Sequence, residues 1–276
     1  MTTRNKLRDK LLLLAAVSVL ALALAGCSDE TPLGPISEPD PQAEAPVLPD
    51  ASKMQVDLGF FDQAKTCEKS FDRQNFFNAY LRAVVVTAMT ELVMAPPVAA
   101  FSLAIHTVPS YQPDGSWLWV YTYVNGAEEA QIRLRGTVVG GGVDWALRVS
   151  VPGEGLEDEL WFDGSTRDDG DRGLWTFYDF NLAGKPAVAE LEWSHGASEN
   201  LLRLTALHGE DAGNELAFSV DGDEHRIDYA AGDGSEAWFI RWLAFDGSGS
   251  LMVPDYNGGA EACWDDEQYD VDCGGA

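Results

Sequence analysis

The sequence is short of positive charge. Its 276 residues hold 18 Lys and Arg against 45 Asp and Glu, for a formal net charge of -27. Such a chain repels a phosphate backbone, which excludes nucleic-acid binding as its business. Cysteine is scarce too. Four cysteines in a chain of this length cannot make a small disulfide scaffold, and a domain of this size needs none to build a core. The motifs of common catalysis are also missing: no Gly-x-Ser-x-Gly elbow, His-Glu-x-x-His pair or phosphate-cradling glycine loop occurs. His106, His195, His208 and His225 lack metal-ligand spacing. Residues 83–105 are mostly apolar, but Glu91 and the pair Pro96-Pro97 interrupt them, so a core-packed helix suits them better than a membrane span. No catalytic constellation stands out, and the expectation is a non-enzyme. A hydrolase using two carboxylates is kept as an alternative, because acids are too many here to be informative.

The clearest positive signal is at the start. Arg4, Lys6, Arg8 and Lys10 precede an apolar run over 11–23, and Leu24-Ala25-Gly26-Cys27 closes it. This tetrapeptide resembles a bacterial lipobox, which implies a signal peptide over 1–26 and acylation of the Cys27 thiol. Removing that signal takes four basic residues and one acidic, leaving 14 against 44 and a net charge of -30. Two or three acyl chains would hold the protein at a membrane persistently, since each buried methylene contributes about 0.8 kcal/mol. Ser28 in place of aspartate favours the outer membrane by analogy, and Asp29-Glu30 resembles surface-export signals. The expected location is the cell envelope, at the periplasmic face or the cell surface. Residues 27–55, with six prolines between 28 and 52, read as a disordered tether rich in proline and acid.

Periodicity divides the remainder. Over 56–98, apolar residues recur at three- and four-residue spacings, from Phe61 through Phe76, Leu81, Val85 and Met89 to Val93, which predicts amphipathic helix ending at the proline pair. Over 99–276, short segments rich in aromatic and β-branched residues alternate with turns such as Asp169-Gly170, Asp221-Gly222 and Asp246-Gly247. The segments are 101–107, 117–124, 130–139, 143–151, 159–163, 174–182, 187–194, 201–208, 215–220, 225–230, 237–245 and 251–253. None of the gaps holds a crossover helix. The predicted fold is mainly β, an antiparallel meander closing into a barrel-like or two-layer sheet with the N-terminal helix packed on it. In 130–139, Ile132, Leu134 and Val138 share one face while Gln131, Arg133, Arg135 and Thr137 share the other. In 117–124 and 237–245 both faces are apolar, so cover is expected on both sides, with the helix plugging a barrel mouth or crossing an outer face.

Aromatic density fits a pleated core, and it also fits a lipocalin-like carrier of a small apolar ligand, should the sheet close around a void. After Cys27, the cysteines left are Cys67, Cys263 and Cys273. Cys263 with Cys273 is the expected disulfide, with a bridge from Cys67 to a C-terminal cysteine as the competing connectivity. Between them, Asp265, Asp266, Asp270 and Asp272 are candidate calcium ligands, although the spacing lacks an EF-hand's glycine and terminal glutamate. A second acidic group is Asp163, Asp168, Asp169 and Asp171, which reads as a solvated turn. No other cofactor is implied. Expected partners are a membrane, through the acyl chains, and an apolar small molecule or an envelope protein.

The order of 117–123, Leu160-Trp161-Phe162-Asp163-Gly164, 173–178, Glu192-Trp193 and Cys263-Trp264-Asp265 through Asp272-Cys273 resembles an uncharacterised family of bacterial lipoproteins, over 60–273. That resemblance implies lipidation and a β-rich domain, and carries no activity, ligand or catalytic residue.

Overall fold

A computed structural model of the chain describes residues 44–54, 58–61, 72–125, 128–197 and 199–274. The fourteen strands form one sheet in which every neighbour in sequence is a neighbour in space, all antiparallel. They are β1 Ser110–Tyr111, β2 Trp117–Asn125, β3 Glu128–Val139, β4 Gly142–Val151, β5 Leu156–Arg167, β6 Arg172–Tyr178 and β7 Ala187–His195, then β8 Glu199–Ala206, β9 Glu215–Asp221, β10 Glu224–Ala230, β11 Ala237–Leu243, β12 Gly249–Met252, β13 Ala262–Trp264 and β14 Asp270–Val271. β14 does not return to β1, so the sheet curls without closing. The expected meander is therefore present. The expected strand over 101–107 is not; those residues mostly end a helix.

That helix, α1, spans Gln74–Ala104 and passes straight through Pro96 and Pro97. The expectation that the prolines would stop it fails for a nonlocal reason. Beyond them, Met94, Ala100, Phe101 and Ala104 are buried against the sheet, and that burial outweighs two lost backbone bonds. The cost shows as a bend of 46° between Gln74–Thr90 and Val93–Ala104. It falls at residues 91 and 92, where the Pro96 ring meets the carbonyl four positions earlier.

The helix lies in the concavity of the sheet. Its second half contributes to a core with Trp119, Leu134, Trp145, Leu147, Phe162, Trp175 and Trp193. Tyr121 donates its hydroxyl to the Ala100 carbonyl at 2.9 Å, and burial pushes its pKa up. The first half of α1 joins a second core, with Phe76, Ala79, Ala83 and Val86 against Ile227, Ile240, Trp242, Leu251 and Trp264. Among the described residues the convex face has no such cover. Leu118 is half-buried there, Val124 is exposed, and Phe239 lies under the guanidinium of Arg226, so the two-sided apolar strands are not sandwiched as expected.

A repeated contact explains the curl. On the concave face the register sets Trp117, Gly136, Trp145, Gly164 and Trp175 opposite one another across β2 to β6. Gly173 and Trp193 pair across β6 and β7, and Trp242, Gly249 and Trp264 across β11 to β13. Directly opposed Cβ atoms are about 5 Å apart, too close for two indoles on an inward-curving surface. A glycine opposite each tryptophan lets the ring lie flat on bare backbone, as in aromatic rescue of a glycine. A Cβ at Gly164 would come within 2.6 Å of Trp175, and one at Gly173 within 1.9 Å of Trp193.

Candidate functional site

The expected tether is partly built into the fold. Residues 44–54 run across the concave side, and Met54, in the 3-10 turn Ala51–Met54, is fully buried. Trp175 donates its indole N–H to the Met54 sulfur at 3.0 Å. Lys53 binds Asp171 at 2.5 Å, and His195 Nε2 donates to the Lys53 carbonyl at 2.8 Å. Ala45 and Leu48 also pack on the core, so these residues are a strap and not a free spacer. The turn touches α1 as well, which starts the described chain on the helix side of the sheet. Cys27 and Cys67 lie outside the described residues.

Cys263 and Cys273 form the expected disulfide, with Cα atoms 5.2 Å apart. The acids between them are engaged separately. Asp270 accepts from the backbone N–H groups of Gln74 and Asn75 at 3.0 and 2.8 Å. Asp265 accepts from those of Glu267 and Tyr269 at 3.0 and 2.8 Å. Asp266 and Asp272 are exposed. Among the described residues no three His, Cys, Asp or Glu side chains converge to hold a metal. The physical reason is that α1 begins without an acidic first turn or a side-chain cap, and Asp270 supplies both from the far end of the chain. Asn75 reinforces the junction, donating to the Cys263 carbonyl and accepting from the Tyr256 hydroxyl, both at 2.7 Å.

The second acidic group also disperses. Asp171 goes to Lys53, Asp168 to Arg172, and Asp163 accepts from the Tyr178 hydroxyl at 3.3 Å. Burial pushes the Asp163 carboxyl up, with Tyr178 and Arg148 working against it. Its partner is a phenol, whereas two-carboxylate hydrolysis needs a second acid. The histidines stay apart: His195 ties the strap, His225 lies edge-on to Phe218 and tilted against Trp242, and His106 and His208 are exposed.

Two features carry surface chemistry. The outer stripe of α1 is apolar: Leu81 is 46% exposed, Val84 47%, Val85 57% and Met89 52%. These positions follow the i, i+3, i+4, i+8 spacing of one helix face, so they form a patch and not scattered residues. The periodicity over 61–93 detects the residues but cannot tell which ones the sheet covers. No single helix among the described residues is long and apolar enough to cross a membrane. On the opposite, convex face, Arg133 and Arg135 of β3 and Arg148 of β4 surround a depression of about 120 Å³ floored by Leu118 and Ala146, with Asp158 at its rim. Alternation put Arg133 and Arg135 on the solvated face. Their meeting with Arg148 depends on register, which only the paired strands reveal.

No family model, no curated protein and no solved structure matches the chain.

Proposed function

We propose that the protein is a lipid-anchored envelope component, acylated at Cys27, that acts as a non-catalytic contact module and rests the outer stripe of α1 on the bilayer holding its anchor. The observation that carries this is the exposed patch Leu81, Val84, Val85 and Met89 on a helix whose other side fills the sheet. Each of these half-exposed side chains gains about 1 kcal/mol on leaving water, some 4 kcal/mol in total. That is weak from free solution. It suffices once a tether raises the local concentration. The 17 residues from Cys27 to Glu44 reach at most about 60 Å when extended, and the strap begins on the helix side, so anchor and patch can engage one membrane together. The strongly acidic surface disfavours anionic headgroups, which leaves apolar contact as the attraction. The interior that a carrier would need is taken by α1 and the tryptophans.

The test is a fluorophore sensitive to polarity, attached at Val85→Cys on the acylated protein in neutral phosphatidylcholine vesicles. Emission should shift to the blue, and a label at Val124→Cys on the convex face should stay unshifted. An unshifted label at position 85 refutes the membrane contact, and a Cys27→Ala variant that still pellets with membranes refutes the anchor.

A further inference from the structure

We propose that Arg133, Arg135 and Arg148 form a binding site for a phosphate-type oxyanion from the aqueous phase. Arg133 and Arg148 stand directly opposite each other on β3 and β4. Like charges so placed repel, and a sheet does better with an acid opposite a base. Arg226 and Arg241 are likewise opposed across β10 and β11, but at the other arginines of the convex face acids match or outnumber the bases. Arg203 lies between Glu192 and Glu215; Arg226 and Arg241 share Asp228, Glu224 and Glu261. At the depression, three guanidinium groups meet two carboxylates, an excess of base in a chain carrying -27.

Asp158 and Asp114 are the two acids that hold the arginines. Asp158 accepts from Arg133 Nη1 at 3.1 Å and lies 3.6 Å from Arg148 Nη1, which also donates to the Asp158 carbonyl at 2.8 Å. Asp114, itself bonded to the Ser116 hydroxyl and backbone N–H, takes Arg135 Nη1. Among the described residues each of these contacts uses Nη1, so Nε and Nη2 of three forks face no described protein acceptor. A planar carboxylate is satisfied by one fork; a tetrahedral group with three free oxygens matches three. Leu118 and Ala146 give a floor without competing acceptors.

Asp158 is positioned deliberately. The register between β4 and β5 slips beside Ser150, whose hydroxyl accepts from the Asp158 N–H at 2.9 Å, and Asp158 adopts a left-handed φ of 50°. A bulge of this kind re-aims a side chain. It points the carboxylate between Arg133 and Arg148, where it preorganises the forks and competes with an incoming anion. Asp163, which Arg148 also influences, is engaged by Tyr178. The site faces away from α1, which lies in the concavity, so it addresses a soluble oxyanion and not the headgroups beneath the helix.

Titration calorimetry of the acylated protein in micelles, with inorganic phosphate against chloride at matched ionic strength, tests the site. Saturable binding should weaken at least about tenfold in Arg148→Gln and in Arg133→Gln, as expected for loss of a charge-assisted bond. Asp158→Asn should bind more tightly, because asparagine tolerates the left-handed backbone while removing the competing charge. Arg203→Gln should match the parent. Arg135→Gln reads the same site if Arg148→Gln does not fold by circular dichroism. Unsaturable heat, or equal loss in Arg203→Gln, overturns the site. Capture by phosphatidylglycerol vesicles that depends on Arg148, without phosphate binding, overturns the aqueous ligand.

Discussion

The two cores beneath the one sheet are built differently. The core under β2 to β8 consists of tryptophans lying on glycines, and the second half of α1 merely completes it. The core under β9 to β13 has a single such step, Trp242 and Trp264 beside Gly249, and is otherwise a phenylalanine cluster of Phe60, Phe61 and Phe76 that needs the first half of α1 to exist. Leu216 packs on both. A long glycine row, as at Gly136, Gly164 and Gly173, shapes the backbone itself, whereas an aromatic cluster around a single glycine mainly fills space. The first core therefore sets the curvature, and the second depends on the helix being held at its start by Asp270, Asn75 and the disulfide-closed loop. The bend of α1 lets one helix serve both.

The largest test of this contrast is Gly173→Ala. Its new methyl would overlap Trp193, and overpacking of this kind should cost about 3 kcal/mol, read from the denaturant midpoint. The amides of β10 to β13 should keep their hydrogen-exchange protection until the whole domain opens. Equal early loss in both halves would mean one cooperative core instead of two.

Asp270→Ala probes the other half more gently. Loss of a capping carboxylate should cost about 1 kcal/mol, with faster exchange confined to the first turn of α1. Unchanged exchange at Asn75 would show that the acidic loop does not hold the helix. Calcium should leave the melting temperature of the parent unchanged, since the same carboxylate is already committed to backbone amides.

The smallest effect concerns the strap that ties into the first core. The hydrogen bond from Lys53 holds the Asp171 carboxyl below its usual range, and the same bond raises Lys53. A depressed carboxyl pKa contributes stability above its unfolded value near 3.9 that is lost as pH falls through the folded value. A raised lysine contributes stability below about 10.4 that is lost as pH rises through its folded value. Protease nicking within 44–54 should therefore be slowest between these limits and quicken below about pH 4, where the strap ion pair is lost. Because both groups are partly exposed and screened by solvent, the change should be slight, and a Lys53→Met variant should flatten the profile.

Alternation and turn chemistry act within a few residues, and for that reason the strands from β2 to β12, their antiparallel order and the Cys263–Cys273 bridge are legible in the chain. The surface patch was half legible: spacing marks Leu81, Val84, Val85 and Met89 as one face, without saying which face the sheet leaves bare. Three arginines became one site only when β3 met β4 in register. Likewise, Asp270 reads as one more acid in an acidic loop until folding carries it 195 positions back to Asn75.

Sequence by itself therefore determined an antiparallel meander with an N-terminal amphipathic helix, since those depend on local backbone preference and side-chain period. Tertiary structure decided that the helix would survive two prolines and that the chain before it would be a strap. It also decided which acids and bases would meet. Each of those outcomes depends on burial or charge contributed by residues far away in the chain, and no local pattern encodes that energy.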